Sequence, residues 1–406
     1  MQDILKGIRI VEGSAFIAAP SAGMTLAQLG ADVIRFDMIG GGIDYHRWPV
    51  SAKGKSLYWH SLNKGKRSIA VDFRHAEGRE LLVQLITAPG EDAGLFVTNF
   101  PARGWLGYEM LRAHREDLIF INLAGDRHGG NALDYTVNSK VGLPYLIGDG
   151  EEPKNNPFPA WDVIAGQQIA LGLLAAERHR RRTGSGQFVS ITLADVALAT
   201  MGHLGYIAEA QINEMARQPV GNHIFGTFGH DFLCQDGKRV MVVGVSTKQW
   251  QALVNVTETE AAVAALEEQL GLSFVQEGDR FEARESLRGI FEPWFLSKRF
   301  STVAEALNSA DACWGPYQNI AELVADDIDC SEDNPLFQSV NQPGIGECLM
   351  PGQALSFGAF IREAITPAPL LGQHTDEVLS EILGLSDMQI GRLHDKKIVE
   401  GPDERN

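Results

Sequence analysis

The sequence is poor in the residues that usually announce a metal, a disulfide framework or a membrane. Four cysteines occur in 406 residues, Cys234, Cys313, Cys330 and Cys348, with no C-x-x-C pair among them. Reduced thiols are therefore expected, and neither a disulfide scaffold nor a cysteine-based zinc site. The eleven histidines include no H-E-x-x-H pair, which removes a common arrangement for catalytic zinc. No apolar run approaches the roughly 18 residues of a spanning helix, and Met1-Gln2-Asp3-Ile4-Leu5-Lys6 lacks the apolar core of a signal peptide. A soluble, cytoplasmic protein is the expectation. Positive charge is also scarce: 35 Lys plus Arg against 52 Asp plus Glu leave a net charge of −17. Such a surface repels nucleic acid and anionic membranes alike. An anionic small molecule would need basic residues gathered locally.

What is present is the composition of a folded globular chain, 44% apolar and 21% charged. Its length exceeds what one core usually serves, so two domains are expected. Residues 8–37, "IRIVEGSAFIAAPSAGMTLAQLGADVIRFD", read as strand, helix and strand with an acidic residue closing the second strand. Short apolar runs at Ser68–Asp72, Gly94–Asn99 and Leu118–Leu123 follow, bounded by Gly, Pro and Asp, with helical spacing at His75–Ile86. Strands alternating with helices predict an α/β fold with a Rossmann-like parallel sheet, whose ligands sit at the carboxyl ends of strands. A long helix is predicted from Trp161 to about Arg182. Its basic end suits the negative pole of the helix dipole, and Gly184 supplies the stop. Beyond Gly221, turns, a strand at Arg239–Val245 and helices from Lys248 to about Ser309 predict a smaller α+β domain. The tail, with a helix at Thr375–Leu383, returns to the first. The expected boundaries are 1–205, 206–330 and 331–406.

The first turn, Glu12 to Pro20, has one glycine where the dinucleotide fingerprint needs three. Gly54-Lys55-Ser56 ends like a P-loop, but Pro49 stands where that motif needs its first glycine. Gly184-Ser185-Gly186 follows a helix and so is no nucleophile elbow. Asp37 could bind a cofactor ribose or simply close a turn, and Gly40-Gly41-Gly42 could form an anion nest or a flexible loop. Asp162 lies just ahead of an apolar-periodic helix, where Asp commonly caps the first N–H groups. The same position keeps a carboxylate ionised, and an ionised carboxylate can attack an activated carbonyl. Arg47, with Tyr45 and His46 beside it, is the candidate cation near the glycine loop.

The stretches "LKGIRIVEGSAFIAAPSAGMTLAQLGADVIRFD", "LNKGKRSIAVD", "NFPARGWLGY", "PAWDVIAGQQIALGLLAAERHRRRTGSGQ" and "PAPLLGQHTDEVLSEILGLS" resemble, in order and over nearly the whole chain, the family III CoA-transferases, a group that includes α-methylacyl-CoA racemases. The resemblance implies an enzyme whose substrate carries coenzyme A, with no tightly bound cofactor and no metal. It makes Asp162 the nucleophile. It assigns Phe16, Ile17, Ala18, Asn63, Lys66, Asn99, Phe100, Arg103 and Tyr135 to the coenzyme, and His46 and Arg47 become candidates for the acyl group. Met38 stands where relatives carry a basic residue after the second strand. The resemblance further implies an interlocked homodimer whose large domain is built from both chain ends. Where intermolecular members carry consecutive glycines early in the small domain, this chain has Gly221-Asn222-His223-Ile224-Phe225-Gly226-Thr227-Phe228-Gly229, bulky between its glycines. That wall suits CoA transfer within one unsaturated dicarboxylate. Intermolecular transfer and racemisation remain alternatives, and a nicotinamide oxidoreductase is disfavoured by the missing glycines.

Overall fold

The computed structural model describes residues 3–148, 150 and 152–402, so the first two residues of the N-terminal stretch lie outside it. The chain opens with β1 (Arg9–Gly13), α1 (Ala18–Gln28), β2 (Asp32–Asp37), α2 (Leu57–Leu62), β3 (Arg67–Val71), α3 (Ala76–Ile86), β4 (Leu95–Thr98), α4 (Tyr108–Arg112) and β5 (Ile119–Ala124). After α5 (Asp134–Lys140) and α6 (Ala160–Thr183) come β6 (Gln187–Thr192) and α7 (Leu193–His203). The strands β7 (Phe228–Leu233), β8 (Arg239–Gly244) and β9 (Cys313–Tyr317) follow, then the hairpin β10 (Phe337–Gln342) and β11 (Gly346–Pro351), and finally β12 (Val399–Glu400). The main sheet has the order β12-β3-β2-β1-β4-β5-β6. Six strands run parallel and β12 pairs antiparallel with β3.

The chain divides into two compact units. The larger comprises residues 1–141, 157–209 and 328–406, so it draws on both chain ends. Strands β1, β2, β4 and β5 are buried on both faces, which is why Ile10, Val33, Ile34, Phe36, Leu95, Phe96, Val97, Phe120 and Ile121 form nearly continuous apolar runs. The tail adds Val378, Leu379, Ile390, Leu393 and Ile398 to the core built by Leu82, Leu85 and Ile86 of α3. Burial of each such side chain contributes roughly 1.5–3 kcal/mol. α1 and α6 cross closely at Gly166, where a Cβ would stand 2.2 Å from Ser21 Oγ and 2.8 Å from Ala18 O.

The smaller unit holds residues 142–156 and 210–327; the first of these segments lies within the stretch read from sequence as large domain. β7, β8 and β9 make its antiparallel sheet, and Phe228, Phe232, Trp250, Leu287, Phe291 and Phe295 form its core. Phe232 and Phe295 stack with ring centroids 4.4 Å apart. Its first long helix begins with a capping box between Ser246 and Gln249. All four cysteines are free thiols. Among the described residues no helix is long and apolar enough to cross a membrane.

Candidate active site

β1 and β4 are neighbours in the sheet although two strands separate them in sequence, and the crevice at such a reversal is where open α/β sheets bind ligands. The first turn emerges there. Asn99, just beyond β4, clamps it: the Ala15 N–H donates to Asn99 Oδ1 at 2.9 Å, and Asn99 Nδ2 donates to Ala15 O at 2.7 Å. Phe16 has φ 69°, a left-handed conformation that costs a non-glycine residue on the order of 1–3 kcal/mol. It is held by its N–H donating to Asp44 Oδ2 at 2.9 Å. Gly13 cannot carry a side chain, because a Cβ would lie 2.1 Å from the Phe36 ring. One glycine and two side-chain clamps thus hold the turn, and the rim they shape consists of Phe16, Ile17 and Ala18.

Beneath this turn lies a sealed ionic network. Arg35 of β2 is 1% exposed. Its Nε and Nη2 donate to the two oxygens of Asp37 at 2.8 and 2.9 Å, and Nη2 also reaches Ser14 O at 2.9 Å. Nη1 donates to Ser14 Oγ and Asn63 Oδ1, both at 3.2 Å. Lys66 Nζ donates to Glu12 Oε1 and Pro20 O at 2.8 Å and to Asn63 Oδ1 at 2.9 Å. Burial opposes the Arg35 charge, but Asp37, Asp44 and Glu12 outweigh it and raise its pKa. Burial lowers the Lys66 pKa to about 8 against the pull of Glu12. Buried charges persist only when paired in this way. Asp37 is therefore bound to Arg35 and faces no ribose. Of the three glycines, Gly42 sits against carboxylates, a Cβ there lying 3.1 Å from Asp37 Oδ1 and 3.3 Å from Asp44 Oδ1, whereas Gly40 borders a depression with His46, Lys53 and Lys55.

Asp162 stands one turn further into α6 than a cap would. The residue before the helix is Pro159, and Asp162 is the third helical residue. The N–H groups at this helix start are served from another element: Asp134, buried at the start of α5, accepts the Asp162 N–H at 3.0 Å and the Trp161 N–H as well. Trp161 Nε1 donates to Asn138 Oδ1 at 3.2 Å and ties the two helices together. The Asp162 carboxyl is thus released from capping, and it bonds to no described residue. Burial, then the charge of Asp134, push its pKa up to about 7, with Arg47 opposing. The sequence reading of a carboxylate kept ionised by the helix end is corrected here. Near neutrality this group titrates, because desolvation and a second carboxyl outweigh the dipole.

Asp162 faces a cavity of about 310 Å³, within the range of small-molecule sites. Phe16, Ile17, Ala18, Asn99, Phe100, Tyr135 and Arg47 line it together with Asp162. The Arg47 guanidinium lies 5.5 Å from the Phe16 ring centre and 5.4 Å from that of Tyr58, and pairs with no carboxylate among the described residues. Four residues expected at the site, three from the resemblance and His46 from its place beside Arg47, stand elsewhere. Lys66 and Asn63 belong to the network beneath the turn, with their polar atoms engaged. His46 borders a separate depression with Lys53 and Lys55, and Arg103 is exposed ahead of a short 3-10 turn. Among the cavity residues that escaped the sequence reading are two with titratable side chains, Asp134 and Tyr58. Asp134 opens the short helix α5, but nothing local connects it to Asp162, 28 residues away.

Residues 5–375 match the family model for CoA-transferase family III. The chain is 58% identical to the 2-methylfumaryl-CoA isomerase of Chloroflexus aurantiacus, over 99% of each protein. It is 28% identical to the succinyl-CoA:mesaconate CoA-transferase of Haloarcula hispanica, over 93% of this chain and 96% of that one. A CAIB/BAIF family protein from Brucella suis has a solved structure that superposes with a TM-score of 0.77 at 23% identity, covering 94% of this chain and 100% of that one. With a switch-point crevice at one end of the sheet and a match over most of its length, the chain is an enzyme belonging to CoA-transferase family III.

Proposed function

We propose that this enzyme moves coenzyme A between the two carboxyl groups of one methyl-branched unsaturated dicarboxylate, converting 2-methylfumaryl-CoA to 3-methylfumaryl-CoA. The observation that carries the reading is an unbonded carboxyl, Asp162, sharing a cavity with an unpaired cation, Arg47. The 58% identical isomerase supports it. In this reading the coenzyme's arm passes along Phe16, Ile17 and Ala18 and between Asn99, Phe100 and Tyr135, while Arg47 holds the carboxylate that is not esterified.

The Asp162 carboxylate adds to the thioester carbonyl and expels the CoA thiolate, leaving a mixed anhydride. The thiolate then attacks the aspartyl carbonyl, forming an aspartyl-CoA thioester and freeing the diacid. The diacid's other carboxylate attacks that thioester and expels the thiolate again. Attack of the thiolate on the newly activated acyl carbonyl gives the isomeric thioester and restores Asp162. Each addition builds negative charge on an oxygen that donors in the crevice must stabilise.

Because Asp162 must be ionised to attack, kcat/KM is expected to rise with pH through about 7 and level off above it. Asp134→Asn keeps an acceptor for the α6 N–H groups and removes the neighbouring charge. Its pH–rate profile should shift to lower pH, so activity at pH 6 rises relative to activity at pH 8. An unmoved acid limb would assign the titration to another group.

The proposal is tested by giving the purified protein 2-methylfumaryl-CoA as sole substrate and separating the products by chromatography. Intermolecular exchange is the second reading, favoured by the 28% identical succinyl-CoA:mesaconate CoA-transferase. Labelled free mesaconate added to the same assay decides between them: exclusion of label supports transfer within one bound molecule, and ready incorporation supports exchange. We also propose that the chain pairs with a second copy of itself. Leu171 lines a hollow of about 790 Å³ at the open β6 edge of the sheet, and Phe188 on β6, Leu198 in α7 and Leu204 just after it are further exposed apolar side chains.

A further inference from the structure

α2 carries two adjacent aromatic residues. Trp59 is buried, with the Arg35 guanidinium 5.5 Å from its ring centre. Tyr58 lines the Asp162 cavity, and the Arg47 guanidinium lies over its ring. Its hydroxyl oxygen is buried and has no hydrogen-bond partner among the described residues. A buried hydroxyl without a partner is a destabilising feature in an unliganded chain, so it calls for a ligand group that accepts from it.

The chemistry of that group is constrained from two sides. Burial, and after it the charge of Asp162, raise the phenol's pKa far above its ordinary value, so Tyr58 enters as a neutral donor. The donor also shares its ring with the guanidinium that balances the cavity's negative charge. A carboxylate has about four acceptor sites, and the Arg47 fork leaves some of them open. Resting on the dicarboxylate reading above, we propose that the Tyr58 hydroxyl and the Arg47 guanidinium together hold the free carboxylate of the acyl group. Tyr58 is then a specificity residue that separates diacid thioesters from monoacid ones. During isomerisation the pair holds whichever carboxylate is not activated, releasing one end of the diacid and taking the other.

Tyr58→Phe keeps the ring beneath Arg47 and deletes only the donor. The test compares 2-methylfumaryl-CoA with 2-methylbut-2-enoyl-CoA, which has a methyl group in place of the free carboxylate. Initial rates of CoA release are read in hydroxylamine, which captures the acyl-aspartyl anhydride from either thioester. The ratio of kcat/KM for the diacid thioester to that for the monoacid one is expected to fall at least ten-fold in the variant, through a raised KM for the diacid. The variant's melting temperature without ligand should equal or exceed that of the parent chain, because the deleted hydroxyl bonds to nothing there. An unchanged ratio, with both rates falling alike, overturns the assignment and makes the hydroxyl a general aid to carbonyl addition. A variant that fails to fold overturns it as well. If the parent chain itself shows no preference for the diacid thioester, the dicarboxylate reading fails first and this one with it. Failure confined to the variant's ratio leaves that reading standing.

Discussion

Asp162→Asn is expected to lose at least about 10⁴-fold in turnover, as nucleophile deletions commonly do, and at the same time to stabilise the folded chain at neutral pH. The two effects have one cause. The carboxyl is desolvated, lies beside Asp134 and titrates near 7 in the folded chain, whereas an aspartate in an unfolded chain titrates near 3.9. Between those values the unfolded chain releases a proton that the folded chain retains, so stability falls as pH rises from about 4 to 7. At roughly 1.4 kcal/mol per pKa unit the cost has an upper bound of about 4 kcal/mol, and water entering the cavity brings it to about 2–3 kcal/mol. An asparagine never ionises and escapes that cost. The variant should therefore melt a few degrees higher than its parent at pH 8, with the gain vanishing near pH 4. Turnover and thermal denaturation at both pH values check this. Retained turnover would remove Asp162 as nucleophile, and a loss of stability at pH 8 would show that its carboxyl is not strained in the cavity.

Arg35→Met is expected to act in the opposite direction, costing about 3–5 kcal/mol and most of the activity. The guanidinium is surrounded by Glu12, Asp37 and Asp44, all buried, and among the described residues Lys66 alone would remain paired with them. Deleting one partner of a buried pair leaves the others desolvated and uncompensated, and that penalty exceeds the pair's own net worth. The functional loss follows from Ser14 O, which Arg35 anchors. Without that anchor the turn can relax, Phe16 can leave its left-handed conformation, and the cavity rim loses its shape. Arg35→Lys should recover little, because an ammonium cannot span both oxygens of Asp37 while also reaching Ser14. Urea denaturation and kcat/KM of the two variants measure this. Near-native stability in Arg35→Met would mean that the network is dispensable.

How much of this was legible beforehand depends on the range of the interaction. Strands β1 to β5 could be read because buried parallel strands are short apolar runs, and α6 because its apolar spacing and its Gly184 stop are local. The position of Asp162 at the start of a long helix is legible in sequence, where an N-cap is the default reading of such a residue; its surroundings are not, because the N–H there is met by Asp134 from α5. Asp37 was weighed as a ribose ligand or a turn residue because its partner, Arg35, sits on the same strand with an apolar residue between them, a pattern that ordinarily gives no sign of a charge pair. Lys66 and Asn63 were placed on the coenzyme by resemblance, and in the structure their polar atoms are consumed beneath the turn.

The amino-acid sequence alone determined the alternation of strands and helices, the single-glycine first turn and the candidate carboxyl at the start of a long helix, since each depends on neighbours within a few residues. The tertiary structure alone decided that the carboxyl is uncapped, titrates near neutrality and shares its cavity with Arg47 and Tyr58. It also decided that Arg35 and Lys66, buried beneath the first turn, spend their donors within the chain. Electrostatic free energy depends on distance and desolvation in space, and contacts spanning 28 residues, from Asp134 to Asp162, or 54, from Glu12 to Lys66, exist only once the chain has folded.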